Sequence, residues 1–161
     1  MTLASPAAAA PGDSFQGAGT ATATVTERAT IRRLTDLRFG RFAAPRTAST
    51  IRINVDGSFN ATGAVASSTG MAQPASGRGP AQFVVEQAGN RGGTVFIPSV
   101  INITNGTANM RVDAITGRLV VTGGVGRNRV YRLDMGGTLR INGNQAPGSY
   151  RGEFDVTVIY N

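Results

Sequence analysis

The C-terminal run from Gly148 to Asn161 contains ten residues that alternate between apolar and polar side chains. Successive side chains of a β-strand point to opposite faces, so this pattern predicts a strand with one apolar face and one polar face. The apolar face carries Tyr150, Gly152, Phe154, Val156, Val158 and Tyr160, and the polar face carries Arg151, Glu153, Asp155 and Thr157. Only Ile159 breaks the alternation, which predicts that the end of the strand is covered on both sides. We expect the strand to serve the core or a partner.

The rest of the chain favours an all-β fold. It contains 22 glycines and many Val/Ile alternations, which are typical of short strands joined by tight turns. Asp56-Gly57 between two alternating segments predicts a hairpin with a type I′ turn. About ten short strands at regular spacing predict an antiparallel β-sandwich of about 8–10 strands. At 161 residues the chain is long enough for one such domain.

Composition argues against catalysis and cofactor binding. The chain has no cysteine, histidine or tryptophan, so the usual thiol nucleophile, the usual general base and most zinc ligand sets are missing. Glu153 and Asp155 would lie about 6–7 Å apart on one strand face, a spacing compatible with glycosidase carboxylates. Their position beside Arg151 favours an ordinary charged surface. Gly123–Gly126 lacks a following Gly-Lys-Ser/Thr and predicts a hairpin loop. We therefore expect a non-enzymatic protein without metal or cofactor.

The net charge of +7 comes from 16 arginines against nine carboxylates. Such an excess can indicate nucleic-acid binding. The arginines, however, are scattered singly along alternating strands, as in Ile51–Val55, which predicts solvent-facing positions. We expect no nucleic-acid partner. No stretch reaches the roughly 18 apolar residues of a membrane-spanning helix.

The N-terminal part divides into three segments before the main domain. Residues 1–10 resemble the remnant of a signal peptide, with a disordered Ala/Pro tail as the alternative. Residues 11–19 predict a flexible lead. Residues 20–28 begin the domain at 20–161 with a strand whose small residues Ala21, Ala23 and Val25 share one face. Residues 66–80, rich in Gly, Pro and Ser, predict a mobile surface loop.

Several motifs together resemble a known type of protein. They are Leu37-Arg-Phe-Gly40; Pro98–Gly106 with Met110–Asp113; Gly137–Ile141; and Asn144–Tyr160, in which Gly148 is fourteenth from the end and Tyr160 is penultimate. The last resembles the C-terminal signature of chaperone–usher pilins. The wider pattern, over residues 20–161, resembles a family of small secreted proteobacterial domains of uncharacterised function, similar to spore-coat-protein-U-like pilin subunits. The cysteine pair of many pilins is absent.

The resemblance implies an immunoglobulin-like sandwich that lacks one strand and is completed by a strand from another subunit. It implies that Gly148, Tyr150, Gly152, Phe154, Val156, Val158 and Tyr160 form the strand recognised by a periplasmic chaperone, and that residues 20–28 are the donor strand, with Ala21, Ala23 and Val25 pointing inward. The expected partners are copies of the chain or related pilins, the chaperone and an outer-membrane usher, with export to the surface of a Gram-negative cell. The alternative is a self-complete adhesin or carbohydrate-binding module that uses the loop at 66–80.

Overall fold

The computed structural model describes residues 30–68, 72–73, 77–87 and 93–160, and within them the prediction of an all-β, antiparallel, sandwich-like fold is confirmed. The described part contains nine strands and one short 3₁₀ helix. The elements are β1 (Thr30–Thr35), β2 (Ser49–Ile53), β3 (Phe59–Thr62), the 3₁₀ helix (Gly63–Ser68), β4 (Ala81–Gln87), β5 (Gly93–Phe96), β6 (Ile101–Thr104), β7 (Asn109–Val125), β8 (Asn128–Ile141) and β9 (Thr157–Tyr160).

The long hairpin of β7 and β8 is the centre of the sheet. Val125 pairs with Asn128, so Gly126 and Arg127 form a two-residue turn. Gly126 has a φ of +62°, a conformation that suits glycine at the tip of such a turn. The sequence prediction of a hairpin loop at Gly123–Gly126 is correct in kind but misplaced, because residues 123–125 are paired in β7 and only Gly126 lies in the turn.

The two ends of β8 have different neighbours along one edge. The first part of β8 pairs with β4, which pairs with β1, and we call this region the distal half of the sheet. The last part of β8 pairs with β2, which pairs with β3, and we call this the proximal half. β7 follows the other edge of β8 through both halves, and β6 adds to β7 in the proximal half.

The regular pairing of β7 with β8 is interrupted where the two halves of the sheet meet. β7 has one extra residue between Asp113 and Thr116, and Ala114 there takes a φ of +47°. On β8, a side chain at Gly136 would collide with the backbone carbonyl of Ile53 at the end of β2. The sequence pattern here predicts two separate strands, Arg129–Leu133 and Thr138–Ile141, and this prediction is wrong, because β8 runs unbroken through both. Gly136 lets β8 continue past the backbone at the end of β2.

One hydrophobic core lies on the inner face of this sheet. Its most buried side chains include Ile51, Ile53, Val112, Met135, Leu139 and Ile141. Residues of the C-terminal segment and of β5 pack against this core from the opposite side. The second layer is a two-stranded sheet of β5 and β9.

Two predicted connections differ in detail. The β2–β3 hairpin forms, but it uses a five-residue loop in which the Asn54 N–H donates to the Ser58 carbonyl at 2.9 Å. Only Gly57, at a φ of +87°, has the positive φ that a type I′ turn needs at two positions. The interval 66–80 begins inside the 3₁₀ helix, which buries Val65. Further along, Arg78 is anchored by hydrogen bonds to the Phe39 and Arg41 carbonyls.

Candidate functional site

The C-terminal segment, residues 148–160, enters through a hydrogen-bonded turn. The Tyr150 hydroxyl donates to the Ala146 carbonyl at 2.6 Å and accepts from the Gln145 side chain at 2.9 Å. That amide, which is buried, also donates to the Asn109 carbonyl. Gly148 has a φ of +142°, and a side chain there would press against Asn105. The turn thus fixes where the segment begins relative to β6 and β7.

The predicted alternation along the segment is confirmed by packing, but the predicted single strand is not, because only Thr157–Tyr160 form a strand and Arg151 makes an isolated bridge. Tyr150, Phe154, Val156 and Val158 are half-buried against the core, whereas the intervening side chains are exposed: Arg151, Glu153, Asp155 and Thr157. Gly152 lies where a side chain would collide with the Asn102 carbonyl oxygen. Ile159 is 50% exposed, so the interpretation that the strand end is covered on both sides is wrong. Tyr160 ends β9 opposite Gly93.

The segment has backbone partners along one edge. Its end, Thr157–Tyr160, pairs with β5, and Arg151 exchanges two hydrogen bonds of 2.8 and 2.9 Å with Thr104 at the end of β6. The segment therefore runs antiparallel to residues 93–104. No other described residue pairs with its opposite edge, which we call the free edge. An unpaired edge is a template for adding another strand.

The core is also incompletely covered in the distal half of the sheet. Ile31, Val85, Tyr131 and Val121 lie directly opposite one another across β1, β4, β8 and β7. Val85 in the middle is buried, but Ile31 is 41% and Val121 58% exposed. We call Ile31, Tyr131, Val121 and the neighbouring exposed Leu119 the apolar row. It is a continuation of the core face that the described residues leave partly open to solvent.

The two carboxylates singled out in the sequence lie on the polar face of the C-terminal segment. Glu153 and Asp155 are both exposed, like the neighbouring Arg151. Both lie in the stretch before β9, which begins at Thr157. Within the described residues there is no group of histidine, cysteine or carboxylate side chains that could hold a metal ion.

A second polar feature, on the outer face of the main sheet, was not recognised in the sequence. Asp134 is 1% exposed and receives hydrogen bonds from Arg132 at 2.7 and 3.1 Å, from Gln82 at 2.9 Å and from Arg118 at 3.4 Å. Asp113 is held by Arg140 at 3.0 and 3.1 Å. The sequence contains the pattern Arg-x-Asp at 111–113 and again at 132–134. Residues two apart on a strand share a face, so this pattern could have predicted an arginine beside each aspartate.

The electrostatics of Asp134 follow from these contacts. Burial by itself raises the pKa of the Asp134 carboxyl, but the hydrogen bonds from Arg132, Gln82 and Arg118 outweigh burial, so its pKa lies below the ordinary value. The same hydrogen bond to Asp134 raises the pKa of Arg132. The carboxylate and its guanidinium partners therefore stay charged together.

The candidate donor residues Ala21, Ala23 and Val25 lie outside the described residues. The structure thus brings together the C-terminal residues of the predicted assembly strand. The donor strand stays a sequence-based prediction.

The described residues contain no helix with the length and hydropathy of a membrane-spanning segment.

Comparison with known proteins gives one match. Residues 29–160 match the family described as Domain of unknown function DUF4402. No curated protein and no solved structure shows a significant match to the chain. The match covers all nine described strands and most of the chain, so the protein belongs to the DUF4402 family.

Proposed function

We propose that the protein is a non-enzymatic structural subunit of a cell-surface pilus, fimbria or coat, and that subunits join by β-strand complementation. The observation that carries the proposal is the free edge of the C-terminal segment, whose side chains already pack on the core. A strand added there would gain main-chain hydrogen bonds from the edge and could place alternate side chains toward the core. This combination is what recognition by strand addition requires.

The apolar row gives a second reason. Apolar side chains of the core face, including Val121 at 58% exposure, are exposed in an isolated subunit. Covering apolar surface is favourable by about 25 cal/mol for each Å² removed from water. A subunit with this surface uncovered gains stability from an added strand, and so has a thermodynamic reason to assemble.

The proposed occupant is the segment at residues 20–28 of a neighbouring copy. Ala21, Ala23 and Val25 alternate with threonines, so one face of an extended strand is small and apolar while the other is hydroxylated. Small inward side chains suit a strand that inserts into an already formed layer. On this proposal the C-terminal strand is also the surface that a periplasmic chaperone covers before assembly, with an outer-membrane usher as the exit route.

The first test uses alternation within the segment. Ala23→Arg places a charge on the proposed inward face, and Thr24→Arg places the same charge on the outward face one residue away. We expect Ala23→Arg to abolish high-molecular-weight assemblies in size-exclusion chromatography with light scattering, and Thr24→Arg to retain them. Equal behaviour of the two variants would contradict an inserted strand.

A deletion gives a complementary test. Removing residues 11–28 should eliminate polymers while leaving a folded monomer, because the nine described strands all begin at Thr30 or later. Unchanged polymerisation would exclude this segment as the donor. A concentration-independent monomer of the full chain would instead favour the second candidate, a self-complete binding domain. The outer face of the main sheet would then be its binding surface.

A further inference from the structure

The outer face of the main sheet carries a continuous group of arginines. β8 passes through both halves without an extra residue, because both register shifts add their residue on β7. Its even-numbered residues therefore share one face, and direct pairing places neighbours from β1, β2 and β7 on that same face. We call this set the arginine face: Arg32, Arg52, Arg111, Arg118, Arg132 and Arg140.

The charges on this face are unbalanced. Among the described residues, three carboxylates of the sheet lie on the same side as these six arginines, namely Asp113, Asp134 and Glu86, and Asp56 in the β2–β3 loop interacts electrostatically with Arg118. Asp134 and Asp113 each lie between two arginines. The face thus keeps a surplus of positive charge that the sheet itself does not neutralise.

One pair on this face is unfavourable for the fold. Arg111 and Arg140 lie directly opposite each other on β7 and β8, and like charges in that position destabilise a sheet. Asp113 offsets the repulsion only partly, because Arg140 hydrogen-bonds to it while Arg111 approaches no closer than 3.8 Å. A second negative charge between the two guanidinium groups would complete the pairing.

Both guanidinium groups are open to such a ligand. The side chains of Arg111 and Arg140 are 60% and 52% exposed. Arg140 uses only its Nε in contacts with Asp113, so its terminal amino groups remain available among the described residues. A planar guanidinium binds carboxylate through two parallel hydrogen bonds, and Asp113 keeps the Arg140 side chain in place.

We propose that the arginine face binds an acidic polysaccharide through its carboxylate groups. A polymer with repeated carboxylates can contact several arginines that lie on neighbouring strands of one surface. Nucleic acid fits less well, because single strands bind through aromatic stacking platforms and the described part of this face has no aromatic side chain. The arginine face is separate from the free edge, so this proposal does not depend on strand complementation.

The test compares two double variants of the full chain. Arg111→Gln/Arg140→Gln removes two charges from the arginine face, and the control Arg46→Gln/Arg127→Gln removes two exposed arginines from elsewhere. Both lower the net charge equally. With polygalacturonate as the probe and dextran as the neutral reference, we expect the first variant to weaken binding by about tenfold or more and the control by less than about twofold.

The outcomes distinguish a specific binding site from general electrostatic attraction to a basic protein. Equal weakening by both variants would mean that net charge alone drives binding, and would overturn the proposal. Stronger binding of duplex DNA than of polygalacturonate at the same salt concentration would also overturn it. If loss of Arg111 and Arg140 disturbs folding, Arg32→Gln/Arg52→Gln replaces them, since both are exposed and lie on the same face. This second pair should also weaken binding relative to the control.

Discussion

The ring of Phe154 meets the ring of Phe83 edge to face, with the centroids 6.2 Å apart and the planes at 80°. Phe83 lies on β4 in the distal half of the sheet, and Phe154 lies in the C-terminal segment. This contact therefore joins the two layers of the sandwich. It also places the segment over the core face before β9 begins.

Truncating this contact should loosen the C-terminal segment. Phe154→Ala is expected to lower the free energy of unfolding by about 3 kcal/mol, because it removes a large apolar side chain and an aromatic pair. The neighbouring exposed Asp155→Ala should change it by less than about 0.5 kcal/mol. Urea unfolding of the two variants measures the difference. Similar values for both would show that the segment does not pack as described.

The tyrosine at the start of the segment should contribute through its hydroxyl. Tyr150→Phe keeps the ring but removes the hydrogen bonds to the Ala146 carbonyl and the Gln145 amide. Since Gln145 is buried, we expect a loss of about 1–2 kcal/mol in the free energy of unfolding. Tyr131→Phe is the matched control, because the Tyr131 hydroxyl makes no hydrogen bond with the described residues. A loss as large for Tyr131 would contradict this assignment.

Asp134 should make stability depend on pH. Its pKa is lower in the folded protein than in the unfolded chain, so its stabilising contribution is complete above about pH 3.9 and disappears as the pH falls through the folded-state pKa. Asp134→Asn should cost about 2 kcal/mol at pH 7, and the difference from the wild type should shrink in acid. Chemical unfolding over a pH series measures it.

The control for that series is Asp36→Asn, which alters an exposed pair with Arg33. We expect it to stay within about 0.5 kcal/mol of the wild type at every pH. A constant Asp134→Asn effect from pH 7 down to strongly acidic conditions would show that the carboxylate charge is not what stabilises this position.

Two glycines of the β7–β8 hairpin should respond differently to the same substitution. Gly136→Ala forces a side chain against the Ile53 carbonyl, and we expect it to cost about 1–3 kcal/mol. Gly123→Ala places its side chain in open space at an ordinary φ, so it should be neutral or slightly stabilising. Thermal unfolding distinguishes them. An equally mild effect at Gly136 would mean that β2 does not end against β8 at this point.

Local pattern was sufficient for the fold class and for the buried faces, and insufficient for the continuity and arrangement of the strands. The period-two alternation in the C-terminal segment identified which side chains face the core, because burial on one face imposes that period. The sequence predicted separate strands on either side of Gly136-Gly137; the reason for a glycine at 136 is the backbone of β2, which is distant in sequence. Asp134 was missed for the same reason, because its partners Gln82 and Arg118 come from two other strands.

The central proposal is that residues 20–28 of one copy pair with the C-terminal segment of another. The chain has no cysteine, so a Thr24→Cys/Ile159→Cys variant introduces one outward-facing thiol on each proposed partner strand, with Thr24→Cys/Thr157→Cys as the neighbouring register. Mild oxidation followed by non-reducing electrophoresis reads the pairing directly. Strand donation predicts a ladder of disulfide-linked multimers in one of the two registers. A monomer with an internal disulfide, or no disulfide in either register, would contradict donation.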